Sequence, residues 1–487
     1  MAKLTLAADF PEVSEDDWRR QAEAMLQSGS LVQLISHSRD GIAIKPIYQT
    51  PDKSFPNLAQ QSVVKNSPWK IVQRADIPDI TTANEQILDD LLNGATAISV
   101  VVPGAATAGS FGVPVQSVGD IKQLMQNVEL DLIAVRLDAG RGGHDAAVKL
   151  LQVYQDRNLD LGRCDLSFCL DPVAAFALSG IADSKKAMAG CMGCFISKTR
   201  EAGHAGLVFA GDGRPYHEAG ASQAQELGFA IAAVVEHLRL LESGGVDLEH
   251  IWPQLGLLLS ADADQFLTIA KLRAARLVWA RLQDAMGFAP SRLQLDVETS
   301  LAMMSKSDPN VNMLRTTTAA FAAGIGGADS ISVLPFTSAL GVPDNFARRI
   351  ARNSQIVLQE ESGIGLVGDA AAGSGYVEEA THQIADKAWQ VMQDIEAAGG
   401  MMTALCDRRV QSLVEDSALR TRQTVRNRDQ IIVGVNKFTL ADEVPVKTLD
   451  YLPVELPSGK PSGEMTCRRL RPVAVSSTVE NLDGAKP

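Results

Sequence analysis

The stretch Asp308–Gly363 decides the fold, and it reads DPNVNMLRTTTAAFAAGIGGADSISVLPFTSALGVPDNFARRIARNSQIVLQEESG. It opens with Asp308-Pro309, a pattern typical of a helix start, and it breaks at Gly326-Gly327, a typical helix exit. The short apolar run Ile331–Leu334 follows, and Asp344 then begins a second helical pattern. A helix–strand–helix order of this kind is the repeating unit of a parallel α/β sheet.

Outward from this stretch, short apolar runs alternate with amphipathic segments of helix length, such as Ser222–Glu242, Asp262–Met286 and Asp344–Glu361. Continuous apolar runs are typical of parallel strands that are buried on both faces. The candidate strands are Ala97–Val102, Leu132–Leu137, Leu166–Leu170, Leu207–Ala210, Leu255–Leu259, Leu293–Asp296 and Ile331–Leu334. With an eighth strand expected near Lys70–Arg74 or after Glu361, the pattern predicts a TIM-type (β/α)8 barrel over residues 65–438. A doubly wound open sheet is the alternative.

Two segments flank the predicted barrel. Residues 1–64 contain one helix, with Ser14 as N-cap and Asp17 at the third helical position, followed by an extended arm. An arm with little core of its own is typical of a segment that contacts a partner. Residues 439–487 are rich in Pro, Glu, Val, Ser and Lys and predict a partly ordered tail.

Composition excludes several classes of function. The chain has 487 residues and a net charge of −13, which argues against binding to nucleic acid or to an anionic membrane surface. Its longest apolar run, near Ala97–Val102, is far shorter than the roughly 20 residues that cross a bilayer. The acidic start lacks the pattern of a secretory signal, so a cytoplasmic location is expected.

The six cysteines include one C-x-x-C pair, Cys191 and Cys194. A metal or redox site would need a second pair or histidines at ligand spacing, and the sequence offers neither. We therefore predict no metal ligands in this chain.

A polar stripe follows the second helix of the opening stretch, where Arg348, Arg352, Gln355 and Gln359 recur at spacings of four, three and four. One interpretation is a solvated helix face. The other is a set of fixed hydrogen-bond donors for phosphate, for carboxylate or for another subunit.

The opening stretch closely resembles a diagnostic segment of the cobalamin-dependent acyl-CoA mutases, the methylmalonyl-CoA mutase family. The matching motifs are Asp308-Pro309, Arg315-Thr316-Thr317, Gly326-Gly327, Ala339-Leu340-Gly341, Pro343, Arg349-Ile350-Ala351-Arg352-Asn353, Gln355 and Gln359-Glu360-Glu361-Ser362-Gly363. Weaker matches extend the resemblance from about residue 30 to residue 438, at Pro68-Trp69 and Gly434-Val435-Asn436-Lys437 among others.

In that family adenosylcobalamin supplies the radical chemistry that rearranges an acyl-CoA carbon skeleton inside the barrel. The resemblance implies that five residues face substrate or cofactor: Gln73, Arg74, Arg315, Gln359 and Glu360. The family binds cobalt through the histidine of an Asp-x-His-x-x-Gly motif in a C-terminal flavodoxin-like domain. None of the seven histidines here has Asp two residues before it, and the residues after Phe438 are fewer than the roughly 100 that such a domain needs. We therefore expect no such domain in this chain.

Three departures affect the catalytic positions of the family. A tyrosine at the barrel entry is replaced by Arg74, and a strand-end histidine by Ser332. A Tyr-His pair falls on Arg214-Pro215, so that Tyr216-His217 is displaced by two residues, which along a strand exit amounts to roughly 6–7 Å. Tyr216 and His217 are thus only weak catalytic candidates.

These losses resemble the small subunit of the heterodimeric members of the family. The resemblance implies a non-catalytic barrel that binds no cofactor itself and stabilises a large catalytic subunit. That partner would carry adenosylcobalamin and the acyl-CoA substrate. One alternative is the catalytic barrel of a split mutase whose cobalamin domain is a separate protein. Another is an unrelated barrel enzyme in which Asp138, Asp171 or Asp296 converges with a histidine.

Overall fold

A computed structural model describes residues 13–26, 30–49, 68–109, 111–453 and 464–477. Eight parallel strands form its central sheet. They are β1 Lys70–Ala75, β2 Ala97–Val101, β3 Ala134–Asp138, β4 Leu166–Ser167, β5 Phe209–Asp212, β6 Leu255–Ala261, β7 Gln294–Thr299 and β8 Ser330–Ser332.

The sheet closes on itself. Its order is β4-β3-β2-β1-β8-β7-β6-β5, which leaves β4 and β5 at the two ends. The backbone that continues β4 bonds to the start of β5: Phe168 N–H donates to the Leu207 carbonyl at 2.9 Å, and Leu170 N–H to the Val208 carbonyl at 3.0 Å. The predicted (β/α)8 barrel is therefore confirmed, the open sheet is excluded, and the eighth strand is the one at Lys70–Ala75.

Helices surround the barrel, and they are formed by the amphipathic segments of the sequence. Between the strands lie Ile80–Leu92, Val118–Leu124, Gly143–Asp156, Pro172–Ser179, Lys185–Glu201, Arg214–Glu218, Gln223–Ser243, Leu248–Ile251, Gln265–Met286 and Asn312–Ile325. After β8 come Asn345–Ile356, a π-helical turn at Val357–Glu361, and the helices Gly375–Ala397, Met401–Cys406 and Arg409–Arg426. No helix in the described ranges is both long and apolar enough to cross a membrane.

The amino-terminal helix, Glu15–Met25, begins as the sequence predicts. Ser14 Oγ accepts from Asp17 N–H at 3.1 Å, and the Asp17 carboxylate accepts from Ser14 N–H at 3.2 Å, which completes a capping box. A small hairpin, Ser36–His37 with Ala43–Ile44, follows it and reaches the barrel through Lys45, which lies 2.9 Å from Glu379. Residues 1–12, 27–29 and 50–64 of the predicted arm lie outside the described residues.

The segment 464–477, which we call the strap, crosses the carboxyl-terminal face of the barrel. Its Met465–Thr466 pairs antiparallel with Ile181–Ala182. Farther along, Val473 N–H donates to the Glu218 carbonyl at 2.7 Å and Val475 N–H to the Ala302 carbonyl at 2.9 Å. The loops at the carboxyl ends of β5 and β7 are therefore covered by this segment. Residues 454–463 and 478–487 of the predicted tail lie outside the described residues.

The polar stripe of the opening stretch is largely buried, so the interpretation as a solvated helix face was wrong. The interpretation as fixed donors for carboxylate is confirmed for Arg348 and Arg352, although the carboxylates belong to this chain itself. Its arginines and glutamines face the barrel and tie the helix after β8 to the start of the barrel. The contacts are Arg348 to Asp76 at 2.6 Å, Arg352 to Asp90 at 2.5 Å, Trp69 Nε1 to Gln355 at 3.1 Å and Gln359 to the Trp69 carbonyl at 2.7 Å. The stripe is internal scaffold because the return of the chain beside β1 gives each polar group a fixed partner.

Candidate functional site

Two arginines and two carboxylates meet at the carboxyl-terminal mouth of the barrel. Arg74 Nη1, from β1, bonds to Glu298 Oε2 of β7 at 2.5 Å. Arg214 donates through both terminal nitrogens to Asp138 of β3, at 2.8 and 2.9 Å, and its Nη1 lies 3.2 Å from Glu298 Oε1. Arg74 is 4% exposed and Arg214 is 1% exposed. These four residues, which we call the mouth network, fill the position where a barrel enzyme ordinarily holds its substrate.

The network is electrically paired. Burial acts to raise the pKa of Asp138, but the Arg214 guanidinium outweighs burial and holds that pKa well below its usual range. Burial acts to lower the pKa of Arg74, and the Glu298, Asp76 and Asp138 carboxylates raise it above its usual value. The groups are thus held as ion pairs at neutral pH, and neither Asp138 nor Arg74 is suited to proton transfer there.

One neighbouring carboxylate behaves differently. Asp212, at the end of β5, accepts from Arg214 Nε at 2.9 Å and from Nη2 at 2.8 Å. Burial nevertheless raises the pKa of Asp212 to about 6. The Arg214 charge lowers this pKa, but the Asp138 and Asp171 charges raise it further. Of the carboxylates that contact Arg214, Asp212 is therefore the one that titrates near neutrality.

A third arginine fills the barrel axis beneath the mouth. Arg136 lies in register with Ser99 of β2 and Ser167 of β4, so its side chain shares their inward face. It is 5% exposed, and within the described part of the chain its guanidinium nitrogens have no hydrogen-bond partner. Its charge helps to hold the pKa values of Asp138 and Glu298 down. A large cation thus occupies the centre of the barrel.

Tyr216 and His217 lie on the short helix Arg214–Glu218 rather than on a strand exit. The expected shift of 6–7 Å along a strand was therefore wrong, because two helical residues advance only about 3 Å while turning by about 200°. His217 Nε2 lies 2.8 Å from Ser300 Oγ, and its Nδ1 lies 3.2 Å from Glu226 Oε2. Tyr216 is fully buried, and its hydroxyl has no partner among the described residues. Neither side chain joins the mouth network.

Below His217 lies a buried ion pair. Lys271, fully buried, donates to Glu226 and to the Ser260 carbonyl. Burial acts to raise the pKa of Glu226, but Lys271, and then His217, lower it to about 2. The acceptor beside His217 is therefore a permanent carboxylate.

The other predicted site residues are dispersed. Gln73 neighbours Arg74 on β1 and so points to the opposite face of the strand, where its Nε2 has no partner in the described ranges. Arg315 donates to Asn312 Oδ1 at 2.7 Å and to the Val433 carbonyl at 2.6 Å. Ser332, at the position of the family histidine, is fully buried at the end of β8.

Gln359 and Glu360 lie at the opposite end of the barrel from the mouth. Gln359 contacts the carbonyl of Trp69, which precedes β1, whereas Arg74 lies near the carboxyl end of that strand. Five strand residues separate the two ends by roughly 17 Å. Glu360 is exposed beside Gln359. The structure therefore does not bring these two residues together with Arg74.

Of the three strand-end aspartates, one meets a histidine. Asp171 Oδ1 lies 3.0 Å from His237 Nε2, but the same oxygen caps the helix Pro172–Ser179 through two backbone N–H groups. Asp138 pairs with Arg214, and Asp296 accepts from Ser330. His237 is fully buried, and the Asp171 oxygen that it contacts is already held by the helix cap, so the two residues do not form an open acid–base pair.

Sequence reasoning missed Glu298, Asp212, Arg136 and Lys271. Arg136 carried a usable signal, because a charge interrupts an otherwise apolar strand at Ala134–Asp138. Glu298 gave a weaker signal, as a charged residue two positions after the predicted strand Leu293–Asp296. The described residues contain no group of three His, Cys, Asp or Glu side chains that could hold a metal, and Cys191 and Cys194 are exposed free thiols.

Comparison with known proteins agrees with this architecture. The family model described as methylmalonyl-CoA mutase matches residues 49–460. The methylmalonyl-CoA mutase small subunit of Streptomyces virginiae is 38% identical over 477 residues, which cover 94% of this chain and 75% of the relative. The small subunit of Propionibacterium freudenreichii subsp. shermanii is 32% identical, covering 92% of this chain and 72% of the relative. The methylmalonyl-CoA mutase of Cereibacter sphaeroides is 28% identical, covering 89% of this chain and 66% of the relative. These matches exclude an unrelated barrel enzyme, and the chain belongs to the methylmalonyl-CoA mutase family.

Proposed function

We propose that this chain is the non-catalytic small subunit of an adenosylcobalamin-dependent methylmalonyl-CoA mutase, a complex that interconverts methylmalonyl-CoA and succinyl-CoA. The observation that carries the proposal is the mouth network of Arg74, Arg214, Asp138 and Glu298. Its members are buried and bonded to one another, so they leave no open position for a substrate carbonyl. Arg136, two residues before Asp138 on β3, is buried and adds a further positive charge there.

The residues around the mouth do not fit adenosylcobalamin. A histidine that ligates cobalt must direct a ring nitrogen lone pair at the metal. His217 is buried, and its two nitrogens face Ser300 and Glu226. The strap also covers the loops at the carboxyl ends of β5 and β7. We therefore assign the cofactor and the acyl-CoA to the partner and derive no step of the reaction through this barrel.

The proposed partner is a large catalytic subunit in a heterodimer, located in the cytoplasm. The names of the two small-subunit relatives support a partner of this kind. This chain would stabilise the partner through its arm and barrel surface. Large exposed apolar side chains, including Leu314, Phe346 and Phe438, are consistent with a surface that becomes covered on association.

The test is turnover of the co-purified complex with two conservative variants of this chain, Tyr216→Phe and Ser332→Ala. We expect both variants to leave the turnover per complex unchanged, because neither residue would contact substrate. A loss of at least tenfold in Tyr216→Phe, with assembly intact, would instead identify this barrel as the catalytic unit of a split mutase.

A further inference from the structure

The strap carries one cysteine, Cys467, and a second cysteine lies beside it. All six cysteines of the chain are among the described residues, and all are free thiols. Cys406 ends the short helix Met401–Cys406, which contacts the helix Pro172–Ser179. The Cys467 S–H donates to the Phe176 carbonyl of that second helix at 3.5 Å. The two thiols therefore border the same helix, one from the barrel and one from the strap.

A buried glutamine joins the two backbone segments that carry these thiols. Gln411 is 2% exposed, and its Nε2 donates to the Leu405 carbonyl at 3.1 Å and to the Arg468 carbonyl at 2.8 Å. Leu405 is the residue before Cys406. Arg468 is the residue after Cys467. One amide nitrogen thus holds the peptide groups next to both cysteines, and its burial fixes them in this position.

Cys467 lies between the two anchors of the strap. Its N–H donates to the Gly180 carbonyl at 2.9 Å, next to the pairing of Met465–Thr466 with Ile181–Ala182. Farther along, the strap reaches the carboxyl-terminal face, where Val473 bonds to the short helix after β5. A covalent bond at Cys467 would therefore fasten the strap before it crosses the mouth of the barrel.

The two thiols differ in acidity, which sets the order in which they react. Burial raises the pKa of Cys467 to about 12, and the charge of Cys406 adds to this rise. Burial and the Asp407 charge also raise the pKa of Cys406, but the Lys185 charge acts against them. Cys406 therefore ionises first. Because the thiolate is the attacking species, Cys406 is the nucleophile and Cys467 the resolving thiol.

We propose that Cys406 and Cys467 form a reversible disulfide, which fastens the strap to the barrel, when they meet a disulfide oxidant such as oxidised glutathione. The Cys406 thiolate attacks one sulfur of the oxidant and releases the first glutathione, which leaves a mixed disulfide. The Cys467 thiolate then attacks the Cys406 sulfur and releases the second glutathione. Two protein thiols are oxidised to one disulfide, one glutathione disulfide is reduced to two thiols, and the two protons pass to the glutathiones.

The test is treatment of the full chain with oxidised glutathione at millimolar concentration, followed by alkylation of the remaining thiols, tryptic digestion and mass spectrometry. We expect a cross-linked pair of peptides that contain Cys406 and Cys467, and loss of this link on treatment with dithiothreitol. Limited proteolysis of the untreated and the oxidised chain measures the consequence. Oxidation should slow cleavage within residues 464–477 about tenfold, because the link prevents the strap from opening.

Two variants separate this link from other effects of the oxidant. Cys467→Ser cannot form the link, so oxidation should no longer slow cleavage of the strap. Its matched control is Cys191→Ser, which removes an exposed thiol from the helix Lys185–Glu201. This control should keep both the link and the slower cleavage.

Three results would overturn the proposal: no link between Cys406 and Cys467, glutathione that stays on Cys406 as a mixed disulfide, or a link that leaves cleavage of the strap unchanged. A disulfide found only between Cys191 and Cys194 counts as the first of these. If Cys467→Ser fails to fold, the comparison of the reduced and oxidised forms of the unmodified chain still decides the question.

Discussion

Arg74 and Glu298 join β1 to β7 across the barrel mouth at 2.5 Å, with both side chains buried. Removal of Glu298 withdraws a buried carboxylate from both Arg74 and Arg214, which then keep only Asp76, Asp138 and Asp212 as counter-charges. We therefore expect Glu298→Ala to lower the free energy of unfolding by about 3–5 kcal/mol, as is usual when a buried pair is broken. Urea unfolding followed by circular dichroism measures this loss.

An exposed pair provides the control for this prediction. Arg468 and Glu415 lie 2.8 Å apart with about half of each side chain exposed. The variant Glu415→Ala should cost less than about 1 kcal/mol. Similar small losses in both variants would show that the mouth network is solvated and does not close the barrel.

The Glu226–Lys271 pair makes the stability of the fold depend on pH. Lys271 outweighs burial and lowers the pKa of Glu226 to about 2 in the folded chain, below the value near 4.3 expected when unfolded. The unfolded chain then binds the proton more tightly, so this pair stabilises the fold above about pH 4.3. That contribution is lost as the pH falls toward 2.

The variant Lys271→Met removes the cause of the lowered pKa. Burial then dominates and raises the pKa of Glu226, so the variant should lose stability at neutral pH and regain part of it on acidification. Melting temperatures between pH 3 and pH 7 report this difference. A variant whose melting temperature follows the same pH curve as the parent protein would contradict the pairing.

The close contact between Gly180 and the strap offers a test of how tightly the strap is held. Its φ of +77° is left-handed, and a Cβ at this position would lie 3.0 Å from the Cys467 carbonyl of the strap. Gly287 has a similar φ of +72° but open space around it. The variant Gly287→Ala should therefore cost only the backbone strain, about 1–2 kcal/mol.

The variant Gly180→Ala should cost more than Gly287→Ala and should speed proteolytic cleavage within residues 464–477. Both quantities are accessible, from urea unfolding and from limited proteolysis followed by mass spectrometry. Equal losses with unchanged cleavage would mean that the strap does not pack against Gly180.

The barrel could be predicted from sequence because each buried parallel strand is a short, continuous apolar run bounded by turns. The eighth strand was ambiguous because Gln73 and Arg74 interrupt its apolar pattern, and only closure of the sheet identified it. The helix cap at Ser14 was predictable because it depends on residues three apart.

The site was less predictable because its contacts join residues far apart in the chain. The pairing of Arg74 with Glu298 spans 224 positions, and periodicity carries no information about such a pair. Burial of the Arg348 stripe likewise depends on where the helix after β8 returns beside β1. Resemblance to the family identified Arg74 as a departure, but only the folded chain shows that this arginine is paired with Glu298.

The most direct test of the central claim is calorimetric titration of the isolated chain with adenosylcobalamin and with methylmalonyl-CoA. A barrel closed by Arg74, Arg214, Asp138 and Glu298 should give no saturable heat with either ligand. A dissociation constant in the micromolar range or tighter, for either ligand, would show that the mouth opens and would contradict the non-catalytic assignment.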